Sequence, residues 1–385
     1  MNSNFKFNRL PFSGTTVFTR ISEMAKRFDA LNIAQGFPDF DCSPRLLDIL
    51  RSKVSSSSHQ YAPMPGIMSL REKIAEKTEK LYQREYRPDN EITIVPGATM
   101  GIYSAISAFV QPGDKVIVFE PYYDMYVPAI LLHGGLPVVV PLQGATADWN
   151  EFDRVFNLDV KAILINSPNN PSATVLGKEF LNMLARRIRN SNAVVISDEV
   201  YEHIIFDGRQ HNSLASHPEL WQRSLVISSF GKTYHATGWK MGYVLAPQEL
   251  TNQLRKVYQY QAFSTNPFVQ ETLCEFMDFP EEYERLQTFY QEKRDFMLKG
   301  LTERTLLEPL PCHGTYFIVA KYNKISDLND ESFCSDMIRK KGIGLLPMSP
   351  FFAEGRITHH VRLCFAKKKE TLEKALDILE KVNEV

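Results

Sequence analysis

Residues 225–243 read LVISSFGKTYHATGWKMGY, and the fold turns on how this stretch is read. Leu225, Val226, Ile227 and Ser228 have the mostly branched, apolar character of a buried strand. Small, polar and glycine residues then break it, and two lysines follow, Lys232 and Lys240. A lysine just past a buried strand must be paired, reach water or lose its charge. An uncharged lysine amine is a nucleophile for carbonyl carbon, the chemistry of a Schiff base. Read alone, the stretch is equally a surface loop with two solvated lysines, and the rest of the chain has to decide.

Upstream, short apolar runs alternate with helical patterns. Strands are expected at 91–95, 115–119, 138–141, 162–165 and 193–197, with helices over 69–82, from Ala98 onward and over 177–189. That alternation predicts an α/β fold with a mostly parallel central sheet covered by helices on both faces. Downstream of about residue 245 the pattern becomes helix-rich, with helices expected over 248–261, 271–276, 281–303 and 330–341, strands at 315–320, 344–347 and 360–365 and a last amphipathic helix over 369–382. This predicts a smaller α+β domain over 276–385, joined by an N-terminal arm over 1–40, with the large domain over 41–275.

Composition narrows the classes. The chain has 385 residues, 44% of them hydrophobic, enough for a large core and about two domains. A net charge of −1 supplies no field that would draw it to nucleic acid or an anionic membrane. The N-terminal residues lack a signal-peptide pattern, and no apolar run is long enough to span a bilayer. Five scattered cysteines read as reduced thiols of a cytoplasmic protein, without a metal-ligand pattern.

In an open parallel sheet, ligands bind beyond the carboxyl ends of the strands. Tyr123, Asn170, Asp198 with Tyr201, and Lys232 each fall just past a predicted strand. The turn at Ala98-Thr99 opens a helix, where free N–H groups and the helix dipole suit an anion. A lysine, an acid, a phenol, an amide, a stacking ring and a phosphate nest together match pyridoxal 5'-phosphate. Lys232 would hold its aldehyde covalently. Asp198 would keep the pyridine nitrogen protonated, Tyr201 and Asn170 would bind the ring oxygen, and Tyr123 would stack on the ring. Ala98, Thr99 and Ser229 would bind the phosphate, with Lys240 as counter-charge. Each has a plainer role open to it: Asp198 as a helix cap, Asn170 as part of a turn, the tyrosines as core, Lys240 as a solvated surface residue.

The segments QGFPDF (35–40), EPYYDMY (120–126), NSPNNPSATV (166–175), SDEVYEH (197–203) and SSFGKTYHATGWKMGY (228–243) together resemble the class I/II aminotransferases of fold type I. The branch they point to holds kynurenine aminotransferases and bacterial methionine aminotransferase, and the resemblance runs from Gly14 to the last helix. It implies transamination from a hydrophobic or aromatic L-amino acid (methionine, phenylalanine, tyrosine, glutamine or kynurenine) to a 2-oxo acid. It also implies that Arg362 clamps the substrate α-carboxylate, a group that a planar guanidinium fork suits. Gly36 would offer its backbone to the same carboxylate. The resemblance further implies a homodimer with active sites at the interface, Tyr61 reaching the phosphate in the neighbouring subunit. Two positions depart from the kynurenine enzymes, with Phe18 in place of a tryptophan at the entrance and Phe263-Ser264 in place of a Phe-His pair. The pocket remains aromatic without a second arginine, which predicts large neutral substrates and makes aspartate a poor donor. A cysteine-S-conjugate β-lyase would use the same residues, and a non-catalytic binding protein on this fold is the remaining alternative.

Overall fold

The computed structural model describes residues 10, 11, 14–353 and 356–384, so most of the first dozen residues of the expected arm lie outside the described residues. The chain opens with α1 (Val17–Arg27), β1 (Leu31–Asn32), α2 (Pro44–Ser56), α3 (Met68–Tyr82), β2 (Ile92–Val95) and α4 (Ala98–Phe109). Next come β3 (Lys115–Glu120), α5 (Tyr126–Leu132), β4 (Leu136–Gln143), β5 (Thr146–Ala147), α6 (Trp149–Val155), β6 (Val160–Asn166) and α7 (Lys178–Ile188). The middle of the chain supplies β7 (Val194–Asp198), β8 (Ser224–Ser229), α8 (Phe230–Thr233), β9 (Gly242–Leu245), α9 (Gln248–Gln261) and α10 (Pro267–Phe276). The remainder is α11 (Glu281–Glu284), α12 (Leu286–Arg304), β10 (Glu308–Pro309), β11 (Phe317–Lys321), α13 (Asp330–Asp336), β12 (Ile343–Gly344), β13 (Leu346–Pro347), β14 (His360–Cys364) and α14 (Lys369–Glu380).

Eight strands form the main sheet in the order β2-β9-β8-β7-β6-β3-β4-β5. The central pairs β8–β7, β7–β6, β6–β3 and β3–β4 are parallel, while β9 is antiparallel to both β8 and β2. Because β9 reverses twice, β2 points the same way as the parallel strands, and α4 begins at the edge where they end. Successive strand residues face opposite sides of a sheet. Val194, Ile196, Leu225 and Ile227 therefore enter one core with α4, and Val195, Val226 and Tyr243 enter the other. Both faces are covered, so β7 is buried at every position.

The smaller sheet runs β10-β11-β14-β13, entirely antiparallel. The segment after α1 returns to it: β1 pairs in parallel with β12, and Cys364 N–H donates to Ile33 O at 2.8 Å. Four helices beyond the sequence reading are α2, α5, α6 and the one-turn α8. Pro44 at the first turn after Ser43 and Asp148, whose side chain accepts from Glu151 N–H, are ordinary helix-start signals. The helix expected over 330–341 is α only to Asp336. Residues Met337–Lys341 widen into a π turn that ends at Gly342 in the left-handed region, φ +72°.

Candidate active site

A cleft of about 330 Å³ opens where β3, β6, β7 and β8 end, between the main sheet and the smaller one. Every side chain that the sequence reading placed on the ligand faces this cleft except Tyr61. The strand ends are tied together. Asn166 Nδ2, the last residue of β6, donates to Asp198 O at 2.9 Å, and its Oδ1 accepts from Asn170 N–H at 2.7 Å. Asp198, Asn170 and the turn between them are thus one hydrogen-bonded unit.

Asp198 has the same facing as Val194 and Ile196, which turns its carboxyl toward the cleft. It is 5% exposed. Tyr126 Oη donates to its Oδ2 at 2.5 Å, and Val200 N–H approaches Oδ1 at 3.4 Å. Burial raises its pKa to about 6, against the lowering effect of the Tyr126 hydrogen bond. Such a carboxylate is short of positive charge, as a partner for a protonated pyridine nitrogen would be.

Lys232 lies in α8, the one-turn helix that follows β8. Its Nζ donates to Tyr316 Oη at 2.9 Å and approaches Gly36 O at 3.4 Å. Desolvation lowers its pKa to about 8, with Arg362 and Lys240 adding to the fall and Asp198 opposing it. Tyr201 is buried below it, Nζ standing 5.7 Å from the ring centre. Burial pushes the Tyr201 phenol up, which keeps it a hydrogen-bond donor at neutral pH.

Arg362 comes from β14 of the smaller sheet and is wholly buried. One Nη1–H donates to Asn170 Oδ1 at 2.5 Å and Nη2 donates to Ala34 O at 3.2 Å. Its Nε has no partner among the described residues. The guanidinium lies over the Phe317 ring at 3.7 Å, with Phe18 and Phe351 farther out. Gly36 closes the same corner. A Cβ there would stand 2.8 Å from Phe317 Cζ, so only glycine leaves the backbone open beside the arginine.

The other end is an anion cradle. Gly97 sits at φ +83°, ψ 160° and caps α4 with no side-chain hydrogen bond. Ala98 and Thr99 line the cleft with their N–H groups at the start of α4, and Ser229 faces them from the end of β8. Lys240, itself left-handed at φ 50°, lays Nζ over Gly97, 3.3 Å from where a Cβ would be. The buried acid, the lysine and this cradle fit pyridoxal phosphate in the order of their charges, and Arg362 Nε leaves a donor for a substrate carboxylate. Tyr123 forms the wall between the two ends and meets Phe18 at 6.3 Å between ring centres. Tyr61 stands apart, 83% exposed and edge-on to Phe263 at 5.3 Å.

The sequence reading missed Tyr316, Tyr126 and Asn166. Nothing local in the sequence separates Tyr316 or Tyr126 from core aromatics. Asn166 opened a motif already noted, but its clamp onto Asp198 depends on β6 and β7 being neighbours.

Residues 29–379 match the family described as aminotransferase class I and II. The methionine aminotransferase of Escherichia coli K12 is 43% identical over 97% of this chain and 98% of its own length. Human kynurenine–oxoglutarate transaminase 1 is 31% identical over 91% of this chain and 92% of its own. The crystal structure of YbdL from Escherichia coli, described as having a methionine aminotransferase function, superposes with a TM-score of 0.94 at 42% identity, covering 98% of this chain and 99% of that one.

Proposed function

The chain belongs to the class I and II aminotransferases, a pyridoxal-phosphate-dependent family, and from that premise we propose how its own residues divide the work. It is a transaminase that moves the amino group of a hydrophobic or aromatic L-amino acid to a 2-oxo acid in two half-reactions. Methionine, phenylalanine, tyrosine, glutamine and kynurenine are the donors the pocket suits. The observation that carries the reading is that one cleft joins Lys232 on the large sheet's edge to Arg362 from the smaller sheet.

The cofactor, when bound, supplies an electron sink for the charge left at the substrate Cα. Lys232 is its covalent anchor. With the cofactor bound, Lys232 would take the proton from the substrate Cα and deliver it to the cofactor carbon that keeps the amino nitrogen, a task suited to an amine whose pKa burial lowers to about 8. Asp198 holds the pyridine nitrogen's proton, and Tyr126 holds Asp198. Tyr201 and the amide NH2 of Asn170 bind the ring oxygen. Ala98, Thr99, Ser229 and Lys240 hold the phosphate. Arg362 takes the α-carboxylate, Asn170 fixing its fork, while Gly36 leaves room for it. Phe18 and Tyr123 wall the side-chain space. Arg362 is the one arginine lining the cleft among the described residues, so a carboxylate side chain finds no second fork there.

The reading includes a homodimer in which Tyr61 reaches the phosphate of the neighbouring site. It also includes a cytoplasmic location, which five free thiols support, and a division into 1–40, 41–275 and 276–385. No helix among the described residues is long and apolar enough to cross a membrane.

The test is spectroscopic. The purified enzyme receives L-methionine with no oxo acid present. The visible band of the lysine-bound cofactor should fade while the band of the aminated cofactor rises, once per site, and pyruvate should reverse it. A wild-type protein with no such band overturns the reading. Pyruvate and ammonia released over many turnovers from a cysteine conjugate would move the assignment to a β-lyase.

A further inference from the structure

Lys232 is held by something the family reading does not use. Tyr316 follows Thr315, which is left-handed at φ 66° and wholly buried, just ahead of β11. That bend carries the Tyr316 ring under the cleft, edge-on to Tyr201 at 5.1 Å and 1% exposed. Its hydroxyl donates to Gly36 O at 2.7 Å, and Lys232 Nζ donates to that same hydroxyl oxygen at 2.9 Å. A phenol has one proton to give. With that proton fixed on Gly36 O, the oxygen can only accept from Lys232, so the direction of the chain Nζ–H to Oη to Gly36 O is set.

Resting on the reading that Lys232 is the cofactor lysine, we propose that Tyr316 is a catalytic residue, the dock for the freed Lys232 amine. An amine that gives one N–H to Tyr316 and turns a second toward Gly36 O has its lone pair on the side away from both, toward the cleft. The proton leaving the substrate carbon would arrive on that lone pair, make an ammonium, and pass on to the cofactor carbon that keeps the amino nitrogen, which restores the amine. Tyr316 neither gains nor loses a proton in the cycle. A four-carbon lysine stem otherwise has many rotamers to lose before each transfer. The tie also joins the main sheet's edge to the smaller sheet, because β11 belongs to the smaller sheet and the segment before Gly36 is hydrogen-bonded to β14 through Ile33 O.

The groups facing Lys232 Nζ are Asp198 from β7, Arg362 and Cys364 from β14, Lys240 beyond α8, and the Tyr201 and Tyr316 rings. Of these only Tyr316 accepts a hydrogen bond from it through a side chain. An acceptor favours the ammonium over the amine. Its removal lowers the amine's pKa and shifts the acid limb of the half-reaction profile to lower pH.

The experiment compares the holoenzymes of wild type, Tyr316→Phe and Tyr290→Phe in single-turnover reactions with L-methionine across pH. Tyr290 is a fair control, since it packs 5.7 Å from Tyr316 and its buried hydroxyl has no partner among the described residues. Tyr316→Phe should slow proton transfer about 10- to 100-fold, with substrate KM little changed and the acid limb about 1 unit lower. Tyr290→Phe should keep the wild-type limb. Deuterium at the substrate Cα should slow Tyr316→Phe by a larger factor than wild type, because transfer has become limiting. An unmoved acid limb and isotope effect in a folded Tyr316→Phe enzyme overturns the inference. If Tyr316→Phe loses the visible band, the pH dependence of band formation with added cofactor reads the same amine, and an unshifted midpoint overturns it too. Failure of the wild-type enzyme to aminate its cofactor would overturn the parent reading instead.

Discussion

Asp198 is kept charged at a cost. A carboxylate buried beside one phenol and one distant N–H is held near pKa 6, above its unfolded value. The folded protein therefore binds this proton more tightly than the unfolded chain. Stability is full below the unfolded pKa and is lost as pH rises through about 6. Asp198→Asn removes the charge and still offers Tyr126 an acceptor. Without cofactor, the variant should be more stable than wild type by about 1–3 kcal/mol at pH 8, and the two should converge below about pH 4. Its transamination should fall about 100-fold or more. Thermal unfolding at both pH values and single-turnover rates check the two halves; equal stability at pH 8 would refute the electrostatic account. Such a group is legible in sequence because it follows a strand, as Lys232, Tyr123 and Asn170 do. Tyr316 and Tyr126 were not, since a buried tyrosine's hydrogen bond depends on which distant carbonyl or carboxylate arrives beside it.

Among the elements, the start of α4 decides whether phosphate can be held. Among the described residues no side chain caps its N-terminal N–H groups, and Gly97 turns the chain in a region that glycine alone enters readily. Gly97→Ala should cost about 1–3 kcal/mol of stability and push Lys240 Nζ outward from its 3.3 Å approach. The expected result is a weaker hold on pyridoxal phosphate, read as a raised dissociation constant in a visible-band titration, with the substrate-amine specificity unchanged. Unaltered affinity in a folded variant would separate Gly97 from the cradle. The periodicity that located α4 also located six of the eight strands of the main sheet, β2, β3, β4, β6, β7 and β8, to within a residue or two at each end. It passed over the two-residue β5 and the four-residue β9, which are too short to show a period, and a strand buried on both faces has the same apolar pattern in either direction. The π turn over Met337–Lys341 was hidden for a related reason: its apolar positions continue the helical period, and only the backbone widens.

At the scale of the molecule, the cleft lacks what Tyr61 was expected to give it. Tyr61 and Phe263 form an exposed aromatic pair, at 83% and 51%, of a kind that a partner surface would cover. The proposed homodimer predicts a solution mass of twice the chain's 44.1 kDa. A sharper test uses complementation between two crippled chains. Lys232→Ala lacks the anchor but keeps Tyr61, and Tyr61→Ala lacks the phosphate contact but keeps Lys232. If each site takes Tyr61 from the other subunit, a hybrid dimer holds one site with both residues and one with neither. Random reassortment makes about half the dimers hybrid, so about a quarter of wild-type sites should return. Tyr61→Ala alone should bind the cofactor more weakly, and at limiting cofactor the mixture should exceed the sum of the separate activities. Should Tyr61 act within its own subunit, every Lys232-bearing site in the mixture would still lack it, and mixing would add nothing.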